Sequence, residues 1–350
     1  MDNSLTNIKV LMTGAGAPGA AGIIACLQAD ANIELTVADA NPHAVGRYLN
    51  TQFEQIPMAQ DETFVAAVLA ICEKKNIQVI MPLVTRELFV FAKHHEEFKQ
   101  KGIRVLISNA AALNIANDKS KLLQFLKTQA ILTPNFYVVN SLNEFLQAVE
   151  KLGYPHQAVC FKPSVSNGSR GFRIIDANQN DFELLFQHKP NSTYISLEKI
   201  KEIYAQYEKQ FPELLVSEYL PGEEYSIDCL ANEGNCIIAI PRLRAKMKEG
   251  ISVEGQFVEQ QEIINYCKQI IAALKLHGNI GIQVKKAADG QFKILEINPR
   301  VQGTIVAARG AGVNLPLLAV KQAMQMPILP KEFAVKWGTH FIRYYQEVYY

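Results

Sequence analysis

Glu296 and Asn298 stand two residues apart at the end of an apolar run, Lys293-Ile294-Leu295. On a strand, positions i and i+2 share a face, so a carboxylate and an amide oxygen project side by side. Hard oxygens of this kind suit Mg²⁺, which takes few protein ligands and shares the rest of its shell with phosphates and water. Arg300 follows two residues later and is placed to pair with a developing phosphate. Upstream, Gln283 lies on a second strand-like run, Gly281–Lys285, and Ala287–Gln291 between the runs reads as a hairpin turn. The hairpin would set Gln283 beside Glu296 as a third oxygen donor. The competing reading is a polar strand end with no ligand.

Three other stretches carry chemistry-bearing residues. Phe161-Lys162-Pro163 ends a strand and leads into a small-residue loop, 164–171, whose backbone N–H groups could approach phosphate oxygens while Lys162 adds a point charge. Leu214–Asp228 reads as a strand, a kink at Pro221-Gly222 and a second strand. Such a hinge offers backbone groups to an adenine edge, and a glutamate beyond it could bind ribose hydroxyls. Arg242, Arg244 and Lys246 share one face of an extended segment and call for an anion, the alternative being an edge strand guarded by positive charge.

A fourth motif points elsewhere. Gly14-x-Gly16-x-x-Gly19 follows a strand, and Asp39 comes 25 residues after Gly14, which fits the dinucleotide rule of pyrophosphate on a helix N-terminus and ribose on an acid. Pro18 removes one N–H from that turn. The alternatives are an ordinary tight turn or a loop that faces an acyl substrate.

The elements that must position these residues begin with the alternation β-α-β-α-β-α-β. Strands are expected at 8–14, 33–38, 77–81 and 103–107, with helices from the glycine loop to Leu27, over 63–74 and over 86–99. This argues a parallel sheet covered on both faces. Pro82, Thr85, Arg86 and Glu87 lie just past a strand end, where open α/β sheets place ligands. Asp118 caps a helix over 119–129, and further helices are expected near 142–151, 197–209, 260–276 and 314–326. The tail from Val335 alternates apolar residues and ends in Tyr344, Tyr345, Tyr349 and Tyr350; packing on the C-terminal part and a homodimer contact are both compatible with it.

Composition excludes several classes. A net charge of +1 with dispersed Lys and Arg gives no nucleic-acid footprint and no polybasic membrane patch. No apolar run reaches the roughly 18 residues of a membrane-spanning helix. The polar first residues show no signal peptide, and the six cysteines are widely spaced without C-x-x-C, so a reduced, cytoplasmic setting is expected. No Ser-His-Asp or Cys-His constellation is visible.

In chain order, Asp118-Lys119, Phe161-Lys162-Pro163, Gly168–Gly171, Glu218–Glu224, Gln283 and Glu296–Arg300 resemble the ATP-grasp superfamily, most closely one ATP-grasp half of the carbamoyl-phosphate synthase large subunit. The resemblance covers roughly residues 8–325 and includes the glutamine in place of the first metal carboxylate. It implies a mixed α/β and α+β architecture: a Rossmann-like, pre-ATP-grasp parallel-sheet domain over 1–115, a central region over 116–215 with a small lid over about 134–215, and a C-terminal domain over 216–350. It implies that Lys119 and Lys162 bind ATP phosphates with Ser169 and Gly171, that Glu218, Tyr219 and Leu220 line the adenine, and that Glu224 binds ribose. Gln283, Glu296 and Asn298 would hold Mg²⁺ (or Mn²⁺). Arg300 would stabilise an acyl phosphate, with Lys162 and Arg244 assisting catalysis. The implied activity is an ADP-forming ligation of a small carboxylic acid to an amine. Carboxylation through carboxyphosphate and a non-catalytic nucleotide-binding regulator are the alternatives. The loop 164–171 has only two glycines, which implies a stiffer closure. A single ATP-grasp unit is present, and no glutaminase, allosteric or biotin-carrier segment is visible.

Overall fold

A computed structural model of the chain describes residues 7–165, 170–186, 192–207, 210–248 and 250–350. Five strands form a parallel sheet in the order β3-β2-β1-β4-β5: β1 (Ile8–Thr13), β2 (Ile33–Asp39), β3 (Phe53–Gln55), β4 (Val79–Pro82) and β5 (Arg104–Val105). Their continuous apolar character follows from cover on both faces. Val10, Met12 and Val37 enter one apolar cluster, while Leu11, Ala38 and Ile80 enter another. The chain order reverses between β1 and β4, so the carboxyl ends of these two strands form a switch point. The helix expected over 86–99 is two helices, Thr85–Lys93 and His95–Gln100, because His94 leaves helical geometry at φ −105°, ψ 18°. The helix Ala110–Ala116 was not anticipated, although Asn109 caps it by accepting from Ala112 N–H at 2.9 Å.

The second sheet has four strands in the order β6-β9-β7-β8: β6 (Phe136–Val139), β7 (Val159–Pro163), β8 (Arg173–Ile175) and β9 (Leu214–Glu218). Its antiparallel pairs pack on the helices Leu142–Lys151 and Leu197–Gln206 around a core of their own, with Phe145 and Val216 at its centre.

The third sheet runs β14-β13-β10-β11-β12-β15 and is antiparallel. Its strands are β10 (Glu224–Asn232), β11 (Asn235–Lys248), β12 (Ile251–Phe257), β13 (Gly278–Lys286), β14 (Phe292–Asn298) and β15 (His340–Ile342). Alternation sorts its side chains. Tyr225, Ile227, Ile282, Val284 and Ile297 pack against Ile263, Cys267 and Ile270 of the helix Gln261–Leu274. Full burial of each such side chain contributes roughly 1.5–3 kcal/mol. The other face carries Glu224, Ser226 and Asp228 of β10. Ser226 stands opposite Arg242 on β11 and Gln283 on β13, and Gln283 stands opposite Glu296. Register alone therefore gathers the polar residues on one side.

The parallel sheet and this third sheet share a core: Val10, Val37 and Val79 lie in the same cluster as Leu230, Ile240, Phe257 and Leu318. The tail adds β15 to the sheet edge, and the Tyr350 ring stacks on Tyr48 with centroids 4.1 Å apart. All six cysteines are free, and all but the half-buried Cys236 are buried, as small hydrophobes are. Among the described residues no helix is long and apolar enough to cross a membrane.

Candidate functional site

The polar face of the third sheet, the inner edge of the second and the switch point of the first enclose a cavity of about 1080 Å³. Its floor is the β13–β14 hairpin, closed by Ala287 N–H donating to Gln291 O at 2.8 Å, with Gly290 at φ 85° in a turn that favours glycine. Asn298 Nδ2 donates to Glu296 Oε1 at 3.4 Å, so the expected carboxylate–amide pair does share a face. Positive side chains surround these oxygens. Lys119 Nζ lies 3.6 Å from Glu296 Oε2, and Arg244 Nη1 donates to Gln283 Oε1 at 3.1 Å and pairs with Glu224. One carboxylate and two amides form a hard-oxygen set that fits Mg²⁺.

Asp118 places Lys119 at the start of the helix Lys119–Thr128 by accepting from Ser120 and Lys121 N–H, both at 3.0 Å. Lys119 N–H in turn donates to Ser164 O at 2.9 Å, which ties the helix start to the small-residue loop. Lys162, at the end of β7, donates to Leu295 O at 3.1 Å. Burial lowers its pKa, and the Glu296 carboxylate opposes that shift. Gly171 has φ 77°, and a Cβ there would sit 2.6 Å from Pro163 Cδ, so the loop returns tightly onto its own strand. Ser169 and Gly168 lie outside the described residues.

At the hinge, the Glu218 carboxylate accepts from Asn135 N–H at 2.7 Å and Lys293 Nζ at 2.9 Å, so its side chain serves the fold. The N–H groups of Glu218 and Tyr219 are also engaged, with Asn135 O at 3.0 Å and Ala158 O at 3.3 Å. Among the described residues the Leu220 N–H has no hydrogen-bond partner. The Glu218 carbonyl accepts from the Cys160 thiol at 3.5 Å. An acceptor and a donor two residues apart match the edge of a heterocycle. Tyr219 lies beside them, with Lys285 Nζ 4.9 Å from its ring centre.

Arg300 brings a further cation to the cavity wall. Arg300 Nε donates to Thr85 Oγ1 at 3.1 Å, and its Nη1 to Val301 O at 2.9 Å. Burial depresses its pKa, opposed by Glu296, but a guanidinium stays charged. Of the other residues expected past β4, Arg86 is exposed and Pro82 is buried. Glu87 is buried and accepts from Thr13 Oγ1 at 2.6 Å. Burial pushes its carboxyl up to about 7; the Thr13 hydroxyl opposes this and the Asp39 charge adds to it.

Two expectations are corrected here. Arg242, Arg244 and Lys246 do not form one anion-seeking row. Arg242 is fully buried, with Nε 3.3 Å from Asp228 Oδ2 and Nη2 donating to Thr304 Oγ1 at 2.9 Å, and a bulge after Arg244 leaves Lys246 exposed. Nor is β11 an edge, since it lies between β10 and β12. The dinucleotide reading fails because Asp39 is occupied: its Oδ2 accepts from Gly16 N–H at 2.7 Å and its Oδ1 from Asn41 N–H at 2.8 Å. Gly19, at φ 91°, instead abuts Gly303, whose oxygen a Cβ at 19 would approach to 2.3 Å. Ala17 and Pro18 thereby line the cavity on the Arg300 side.

Sequence reasoning missed Asp228, Gln302, Thr304 and Arg343. The first was readable from alternation with Glu224 and Ser226. Gln302 was not, because its contact with Ser226 at 3.3 Å joins residues 76 apart in the chain.

Residues 210–342 match the family model described as "ATP-grasp in the biosynthetic pathway with Ter operon", and residues 10–106 match "PylC-like, N-terminal domain". The fold is ATP-grasp. A biotin carboxylase from Campylobacter jejuni, crystallised as a β,γ-ATP complex, superposes with a TM-score of 0.69 at 16% identity, covering 97% of this chain and 75% of that one. An L-amino acid ligase from Bacillus licheniformis does so with a TM-score of 0.64 at 16% identity, covering 94% and 76%. The carbamoyl phosphate synthase large chain of Clostridium botulinum (strain Eklund 17B / Type B) is 27% identical over 290 residues, 78% of this chain. The chain spans about a quarter of that relative's length, 24%.

Proposed function

We propose that this protein is an ADP-forming carboxylate–amine ligase. The observation that carries the reading is one continuous cavity that brings together the oxygen cluster, Lys119, Lys162 and the Thr85-held Arg300. ATP would lie with its base edge on Glu218 O and Leu220 N–H, and its ribose near Glu224. Its phosphates would lie between Lys119, Lys162 and the 164–171 loop. Mg²⁺, held by Glu296, Asn298 and Gln283, would neutralise phosphate charge. A carboxylate oxygen of the acid attacks the γ-phosphorus, the bond to the β-phosphate oxygen breaks, and ADP leaves. The amine nitrogen then attacks the acyl carbon, phosphate departs, and the nitrogen loses a proton. No protein nucleophile is needed, because positioning and charge carry phosphoryl transfer. Arg300 would hold the oxygens of the reacting group as charge develops.

Carboxylation through carboxyphosphate is the second reading, supported by the likeness to the biotin carboxylase fold. The test is ADP release from ATP and Mg²⁺ across pooled acids and amines, with hydroxylamine as a trap. An acid-dependent hydroxamate is expected; ADP release that needs only bicarbonate would favour carboxyphosphate.

A further inference from the structure

Arg343 is a further cation lining the same cavity as Arg300, and its local environment does not neutralise it. It follows β15 directly and is fixed by its own N–H, which donates to Val253 O at 2.8 Å. It lines the cavity beside Ser252, the residue that receives Arg244 Nε at 3.0 Å. The Arg343 side chain is half-buried, and its Nη1 is buried without a hydrogen-bond partner among the described residues. The charge acting on it most strongly is another guanidinium, Arg242, which has Asp228 as its own counter-ion at 3.3 Å. Burial and Arg242 both disfavour the cation at 343, yet arginine does not lose its proton. A partly desolvated charge of this kind is tolerated where an anion completes it.

Arg300 already serves the carboxylate that reacts. The same cavity has apolar lining in Ala17, Pro18, Ile23 and Leu83, which suits an apolar linker. We propose that the acid substrate carries a second anionic group, carboxylate or phosphate, and that Arg343 receives it. This rests on the ligase reading for which group reacts, but the anion subsite can be tested by binding alone.

The full chain, saturated with Mg²⁺ and a non-hydrolysable ATP analogue, is titrated with three probe sets. These are three- to six-carbon dicarboxylates, chain-matched monocarboxylates and phosphorylated hydroxy acids. A charge-assisted pair predicts that the best dianion binds about tenfold tighter or more than its monoanionic match. Whether dicarboxylates or phosphorylated acids win identifies the group. Arg343→Gln should erase that preference while analogue binding persists. If Arg343→Gln does not fold, Arg343→Lys is read instead; it keeps the charge, loses the planar fork and should retain no more than about a third of the preference. No preference in the wild type, or a preference intact in the variant, overturns the proposal. An Arg343-dependent preference with no hydroxamate from any acid would sink the ligase reading and leave the subsite standing. Hydroxamate from monocarboxylates without any preference would do the reverse.

Discussion

The Gly14–Gly19 loop and the Glu296–Gly303 segment touch where Gly19 meets Gly303, yet they handle polar groups in opposite ways. In the first, polarity closes on itself: Asp39 holds Gly16 and Asn41, and Thr13 holds Glu87. In the second it stays open toward the cavity, where Glu296, Gln283 and Arg300 are matched by movable side chains. A motif's letters do not distinguish these cases; what distinguishes them is whether the acid is held by backbone N–H groups, as Asp39 is, or by side chains, as Glu296 is.

Glu296→Gln tests the open segment most severely. With the cation-facing charge gone and volume nearly unchanged, kcat should fall by about 10³-fold, some 4 kcal/mol. Circular dichroism should show the fold intact; near-normal turnover, or a lost fold, would make Glu296 a structural residue. Gly19→Ala tests the contact itself. A left-handed φ of 91° and backbone at 2.3 Å should cost about 3 kcal/mol of stability in a urea melt. A shift under about 1 kcal/mol would mean the loop is loosely held.

Arg300→Lys keeps charge but cannot bond both Thr85 and Val301. We expect kcat to fall roughly 10²-fold, with analogue affinity changed by less than about threefold, since the interaction matters most as charge develops. An affinity loss equal to the rate loss would place Arg300 on ATP instead.

The smallest effect belongs to the closed region. Glu87 has its carboxyl raised to about 7 from an ordinary 4.5, so the folded state binds more protons than the unfolded state between those values. Stability should therefore fall as pH rises from about 4.5 to about 7 and level off above. Glu87→Gln should flatten that slope, and a slope unchanged in the variant assigns it to another group.

Much of this was legible where the physics is local. Alternation on β14 put Glu296 beside Asn298, the hairpin turn supplied Gln283, and Asp118 announced its helix. Distant pairings were less legible. Thr85 and Arg300 are 215 residues apart, and nothing near Arg242 in the chain indicates that Asp228 neutralises it inside the sheet. The break at His94 was missed because apolar spacing continues through it, with Phe91 and Phe98 both in one cluster.

The small four-stranded sheet has an apolar cluster around Phe145 and Val216, and only Leu215 of its buried residues joins the cluster of the six-stranded sheet; the parallel and six-stranded sheets share a much larger one. Cooperative units follow such boundaries. Amide hydrogens around Phe145 and Val216 therefore have a route to solvent that leaves the rest of the molecule intact. Those around Val10 and Leu230, in the cluster the two large sheets share, are expected to exchange later. The chain thus carries two tiers of persistence, and Lys162 is borne by the less durable one.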